Sequence, residues 1–172
     1  MKYFIGLFLL VSTSSCFAPT SIYYEVNSDV SGFSTYNFYP VLDTNLAEDE
    51  TKRIMQIIDL ELYKADFQKS ESPDFYVNFF AEENTTYVPI YNDSIPRQND
   101  SITLKTVAVD QLLYLDVVNV EKDELAWTAT IEGTLQDTLS EGEVHQYYVG
   151  KITEALQSFE REVKNEELEN NE

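Results

Sequence analysis

The chain has 172 residues, enough for one domain with its own hydrophobic core, and is 43% hydrophobic and 13% aromatic, with 12 Tyr and 10 Phe. That composition argues against general disorder and favours β-structure, while only five glycines leave little material for phosphate-cradling loops. Against 11 basic residues stand 31 acidic ones, and a net charge of −20 repels nucleic acid and excludes it as a partner.

Met1-Lys2 gives a short positive start, followed by nine apolar residues over 3–11 and then Ser12-Thr13-Ser14-Ser15-Cys16. A run of that length fits the core of a secretory signal and is too short to span a bilayer of roughly 30 Å. The single cysteine of the chain follows small residues at the point where a signal peptidase would cut. The stretch resembles a bacterial lipoprotein signal, although Thr13 stands three before the cysteine where Leu is commonest. The resemblance implies cleavage before Cys16 and acylation of its sulfur and new amino group. A plain secretory signal with a leftover thiol, or a buried cysteine in an uncleaved chain, is the alternative. Phe17 follows where an Asp would suggest inner-membrane retention, so the expected site is the outer membrane, facing the periplasm. No second cysteine exists for a disulfide.

The expected organisation is a signal peptide over 1–15, a lipidated tether over 16–21, one domain over 22–164 and an acidic disordered tail over 165–172. Within the domain, 22–26 alternates Ile22, Tyr24 and Val26 as a strand, and 33–39 forms a second, closed by Pro40. A helix is expected over 46–66. Asn45 is its candidate cap, Ile54, Ile57, Ile58 and Leu62 its buried stripe, and Glu61 and Lys64 its wet side. Ser72-Pro73-Asp74 then breaks the chain and opens a strand over 75–81.

The segment 82–100 is polar, contains Pro89 and Pro96, and reads as a mobile loop with at most a short strand around 87–91. A strand over 102–109 precedes a hairpin over 112–134. Its turn is Glu121-Lys122-Asp123-Glu124, and Leu125, Trp127, Ala129 and Ile131 share one face. Burial of Trp127 is expected. Ser140 and Glu143 form a capping box for the last helix, which places Val144, Tyr148, Ile152, Ala155, Leu156, Phe159 and Val163 on one side.

The residues Asp29-Val30-Ser31-Gly32-Phe33-Ser34-Thr35-Tyr36, Pro73-Asp74-Phe75-Tyr76-Val77, Tyr114-Leu115-Asp116-Val117-Val118-Asn119 and Leu125-Ala126-Trp127 form a set of short motifs. Together with the closing helix over 152–159, they resemble the bacterial envelope lipoprotein family known as domain of unknown function 4136. Asn119, Thr128 and Asp110-Gln111 stand where that family more often carries Asp, Arg or Gln, and Gly-Thr. The resemblance implies an α+β domain: an antiparallel β-sheet with two amphipathic helices packed on one face, a two-layer sandwich. It implies no activity, catalytic residue or cofactor.

The residues themselves offer little chemistry. His145, the only histidine, has Glu141 four positions earlier on the same side, but one histidine among acids is more often a surface residue than a base. Neither a zinc site nor a Cys–His dyad can be assembled, and no nucleophile elbow is present. Asp137, Glu141 and Glu143 lack the spacing of a calcium loop. Of Tyr23, Tyr24, Tyr36, Phe38, Tyr39, Phe75 and Phe79, all on expected strands, most are expected in the core. Tyr87, Ile90 and Tyr91 fall on the expected loop and are the candidates for contact with a partner. The function expected is therefore a non-enzymatic, lipid-anchored binding or structural module of the envelope. It would touch the membrane through its anchor, with an envelope protein as the candidate partner. A carboxylate-dependent hydrolase of envelope polymers and a small-ligand carrier are the alternatives.

Overall fold

A computed structural model describes residues 21–90 and 103–169. Six strands and two helices follow in the order β1 (Ser21–Val26), β2 (Thr35–Phe38), α1 (Glu48–Lys64), β3 (Gln68–Lys69), β4 (Phe75–Ile90), β5 (Thr103–Asn119), β6 (Glu124–Gln136) and α2 (Glu141–Glu169). The strands form one sheet in the order β1-β6-β5-β4-β2-β3. The α+β class expected from the sequence is therefore present, but the sheet is mixed rather than wholly antiparallel. β2 runs parallel to both β3 and β4. The reason lies in α1, since a helix between neighbouring strands carries the chain back to the starting end and forces a parallel pairing.

The core lies on the face of the sheet where the apolar residues of the long strands alternate. Phe75, Val77, Phe79 and Ala81 of β4, Leu113, Leu115 and Val117 of β5, and Trp127, Ala129 and Ile131 of β6 are all buried. They form one cluster with Ile54, Ile57, Ile58 and Leu62 of α1 and with Tyr148, Ile152, Ala155, Leu156, Phe159 and Val163 of α2. Phe159 is central, its ring 5.4 Å from Trp127, 5.3 Å from Phe75 and 5.6 Å from Phe67 between centroids. Trp127 is buried as expected, with no exposed surface.

Leu125 is not on the Trp127 face. The register slips between Val117 and Val118, so Val117 pairs with Trp127 while Val118 pairs with Leu125. Ala126 is the extra residue, and its carbonyl accepts from both Asn27 and Ser28. The bulge buries Ala126 and turns Leu125 out to solvent. Beyond it, Asn119 Oδ1 accepts from the Lys122 amide at 3.0 Å and Asp123 takes a positive φ of 50°, which closes the charged turn.

Two features of α1 differ from the sequence reading. Ala47, not Asn45, is the N-cap residue and makes no side-chain cap bond. Asn45 instead donates from Nδ2 to the Ala81 carbonyl at 2.9 Å, pinning the loop to β4. Glu61 is buried rather than wet, held by Lys64 Nζ at 2.6 Å. The helix ends in a left-handed Asp66, with the Phe67 amide bonded to the Leu62 carbonyl and Asp66 to Tyr63.

α2 begins with the expected capping box: the Ser140 amide and hydroxyl both donate to Glu143 Oε2, at 2.8 and 2.7 Å. It does not stop at 164 but runs to Glu169, so the tail expected to be disordered is helical over 165–169. Glu166 gives the reason, because its Oε2 accepts from the Val30 amide at 2.6 Å and ties the helix to the β1–β2 loop. Nearby, Asp74 Oδ2 receives the amides and hydroxyls of Ser34 and Thr35, over 2.8–3.1 Å. The Phe-Ser-Thr and Pro-Asp motifs thus form a latch that seats β2 beside β4. No helix among the described residues is long and apolar enough to cross a membrane.

Candidate functional site

The described part of the segment expected to be a loop is strand. β4 does not end near Ala81 but continues to Ile90, and β5 is one strand from Thr103 rather than two. β6 pairs with β5 only as far as Gln136 opposite Ala108. Beyond that level Tyr87 to Ile90 pair with Thr103 to Thr106 alone, a two-stranded arm that leaves the sheet. At its root the register slips between Thr86 and Tyr87, and the Val107 carbonyl accepts from the Asp137 amide at 3.1 Å. Lys105 Nζ lies 3.3 Å from Asp137 Oδ2 on the same stretch.

The arm carries apolar groups that nothing among the described residues covers. Tyr87, Val88 and Leu104 are 56%, 45% and 60% exposed. Of the three residues singled out as partner contacts, Tyr87 is thus on the arm and exposed. Ile90 is the last position of β4. Tyr91 and Cys16 lie outside the described residues, as does the expected signal peptide.

At the base of the arm a groove of about 570 Å³ is lined by Glu82, Glu83, Asp110 and Glu132, with Asn84, Gln111, Leu112, Gly133 and Thr134. Register explains the gathering. Glu82 pairs with Leu112 and Leu112 with Glu132, so three strands present one row on the face away from the core. The next row is Asn84, Asp110 and Thr134, where Thr134 Oγ1 donates to Asp110 Oδ1 at 2.7 Å.

Beneath the groove lies a polar chain that the sequence did not disclose. Gln111 is only 2% exposed, and its Nε2 donates to Glu83 Oε1 at 2.7 Å and to the Tyr148 oxygen at 3.0 Å. Tyr148 in turn donates to Glu50 Oε1. Burial, then the Glu50 carboxylate, pushes the Tyr148 hydroxyl well above its usual range, so it stays a donor at every physiological pH. Four elements, α1, α2, β4 and β5, are joined at this point. Beside it Tyr147 closes over Gly133, where an added Cβ would collide with the tyrosine oxygen. Burial raises the Tyr147 hydroxyl to about 12. The one sequence signal for this junction is Asp110-Gln111 in place of the family's Gly-Thr.

The rest of the outward face is half-exposed and partly aromatic. Phe80 and Tyr114 stack at 4.5 Å between centroids, and Tyr39 packs edge-on to Tyr76 at 5.6 Å. Tyr36, Phe38, Phe75 and Phe79 are core, whereas Tyr23, Tyr24 and Tyr39 are exposed. His145 is exposed on the first turns of α2, away from the groove lining. Among the described residues no group of three His, Cys, Asp or Glu side chains could hold a metal ion, Asp137, Glu141 and Glu143 included.

The family model described as Domain of unknown function (DUF4136) matches residues 20–159. The chain belongs to that family. No curated protein matches the sequence at a significant level. Among solved structures, two dodecamers of PelC from Paraburkholderia phytofirmans share the fold. One, a point variant, is 11% identical and the other 10%; each has a TM-score of 0.51 and covers 80% of this chain and 95% of that one. A PDZ domain protein from Parabacteroides distasonis is 13% identical with a TM-score of 0.47, covering 80% of this chain and 36% of that one.

Proposed function

We propose that this member of the DUF4136 family is a non-enzymatic, lipid-anchored binding or structural module of the bacterial envelope, attached through Cys16 to the outer membrane and facing the periplasm. The arm carries this reading. A globular body with a packed core holds out a ribbon whose apolar side chains stay in solvent, which is an arrangement for contact rather than for chemistry. The alternation of buried and half-exposed residues along β4, β5 and β6 supports a two-layer body, with both helices on one face of the sheet and the other face open. A small-ligand carrier loses support, because Trp127, Phe67, Phe75 and Phe159 occupy the space beneath the sheet that a ligand would need.

The anchor is tested by Cys16→Ala in the full chain expressed in a bacterial host. The variant should leave the membrane fraction and lose the acyl mass seen on the parent protein. Parent protein that stays with membranes without detectable lipid would sink the anchor. A second reading, a carboxylate-dependent hydrolase, draws on Glu82, Asp110 and Glu132, the acids on the outward rows of the groove. Cleavage of purified envelope polysaccharide that disappears in Glu82→Gln or Glu132→Gln would replace the first reading with this one.

A further inference from the structure

Resting on the lipid anchor proposed above, we propose that the outer part of the described arm, Tyr87 to Ile90 with Thr103 to Thr106, is a second membrane contact. Tyr87, Val88 and Leu104 meet the headgroup region of the same leaflet that holds the acyl chains of Cys16.

Direction and length lead there. β1 is antiparallel to β6, and Ser21 pairs with Glu132, which pairs with Leu112, which pairs with Glu82. The chain therefore joins the sheet a few positions below the root of the arm, at the end from which the arm projects. Cys16 precedes Ser21 by five residues, which at full extension span about 17 Å. From the level of Ser21, Tyr87 lies five positions out along β4 and Leu104 eight positions out along β5. At the strand rise these are about 17 Å and about 26 Å. The arm is at least as long as the longest tether. Once the acyl chains are in the leaflet, the body cannot stand clear of it.

Two postures remain. In one, the arm tip rests on the bilayer; in the other, the body lies over on its flank. A net charge of −20 opposes the second against an anionic leaflet. The tip suits the first. A tyrosine and two aliphatic side chains on a ribbon have the amphipathic character that partitions into a membrane interface. The only described cation at the tip, Lys105, is paired with Asp137. By strand rise Glu82 and Glu132 stand about 17 Å below Tyr87, and Asp110, opposite Asn84, about 10 Å below it. Both distances are beyond a Debye length of about 8 Å, so these acids do not oppose the contact. Without a partner a two-stranded ribbon of this kind is marginal in water, and the bilayer supplies one.

The test uses the acylated full chain in vesicles of phosphatidylcholine with phosphatidylglycerol, an anionic surface, with a nitroxide on Leu104→Cys or on Tyr63→Cys. Tyr63 is exposed near the end of α1, far from the arm. Cys16 is blocked by acylation, so each variant carries one label. On vesicle binding the Leu104 label should lose accessibility to an aqueous nickel chelate and gain accessibility to oxygen, while the Tyr63 label stays unchanged. Adding Tyr87→Asp and Val88→Asp should return the Leu104 label to water without releasing the protein. Protein that floats with vesicles while its Leu104 label stays as wet as the Tyr63 label overturns the arm contact and leaves the anchor standing. Protein that fails to float, or lacks acyl mass, overturns the anchor and the arm contact together. Shielding of Leu104 before vesicles are added would assign the tip to a second copy of the chain instead.

Discussion

β4 and β5 lead different lives at their two ends. Between Phe75 and Ala81, and between Leu113 and Asn119, every second side chain is buried against the helices. Beyond the register slip at Thr86 and Tyr87 the same two strands stay paired, Tyr87 to Ile90 with Thr103 to Thr106, and there Tyr87, Val88 and Leu104 are exposed. Pairing alone therefore does not decide where stability resides. Apolar area removed from water does, and it is concentrated at the Trp127–Phe159 end. The arm is held by its junction with the body, which makes Gln111, Tyr148 and Gly133 the border between the two regions.

The largest test of that division is at the core. Trp127→Ala should lower stability by about 3–5 kcal/mol in urea denaturation, because a fully buried side chain leaves a cavity that its neighbours cannot close. Phe159→Ala should cost a similar amount, since its ring touches Trp127, Phe75 and Phe67. A loss under about 1 kcal/mol at either site would break the claim that stability is concentrated here.

The border should show intermediate effects. Gln111→Ala leaves Tyr148 and Glu83 without their buried partner and should cost about 1–3 kcal/mol. Gly133→Ala forces Tyr147 out of its place and should cost about 1–3 kcal/mol through overpacking. Both should also raise amide exchange in the arm, which Trp127→Ala need not do below its global unfolding limit. Border variants that destabilise the body without loosening the arm would show that the junction does not hold it.

These divisions are legible in the sequence to unequal degrees. The helix stripes, the capping box and the burial of Trp127 can be read because a covered face imposes a period on the side chains. The arm cannot. Neither it nor the stretch Glu82-Glu83-Asn84-Thr85-Thr86 that leads into it buries an apolar face, so no alternation is imposed, and two prolines in the following stretch speak for a loop. The β-branched and aromatic run Thr85-Thr86-Tyr87-Val88 is the one strand signal, and propensity alone is weak. The parallel pairing of β2 is hidden for a different reason. β3 has only two residues, too few to show a pattern, although the strand–helix–strand order already implies the crossover. Gln111 escapes a sequence reading because buried polar residues are known by their partners, and those partners, Glu83, Glu50 and Tyr148, come from three other elements.

The end of the body opposite the arm offers a pH test. Partial burial works against the charged form of Asp74, but hydrogen bonds from Ser34 and Thr35 outweigh it and hold its carboxyl below the usual range. A lowered native pKa means that the stabilisation is present above the unfolded value of 3.8 and is lost as pH falls through the native one. Glu166 has the opposite sign, since burial raises it, so its contribution is present at low pH and fades as pH rises through the native value. Asp74→Asn should therefore flatten the acid limb of the stability profile, and Glu166→Gln the limb just above it. An unchanged acid limb in Asp74→Asn would mean that the latch does not seat β2.

The smallest expected effect is the most informative about the arm. Tyr87→Ser and Leu104→Ser remove large apolar side chains, yet both are exposed, so no cavity forms and no buried partner is orphaned. Each should change the stability of the body by no more than about 0.5 kcal/mol, against several times that for Trp127→Ala. Amide exchange should follow the same gradient, with protection near the global limit at Val77 and Leu115 and little at Tyr87 and Thr106. If the arm substitutions instead cost as much as a core substitution in the isolated chain, the arm must be covered in solution by something of the chain's own, and the division between body and arm would fall. If they cost nothing for folding but weaken attachment to membranes, selection has kept apolar side chains in water for contact rather than for stability.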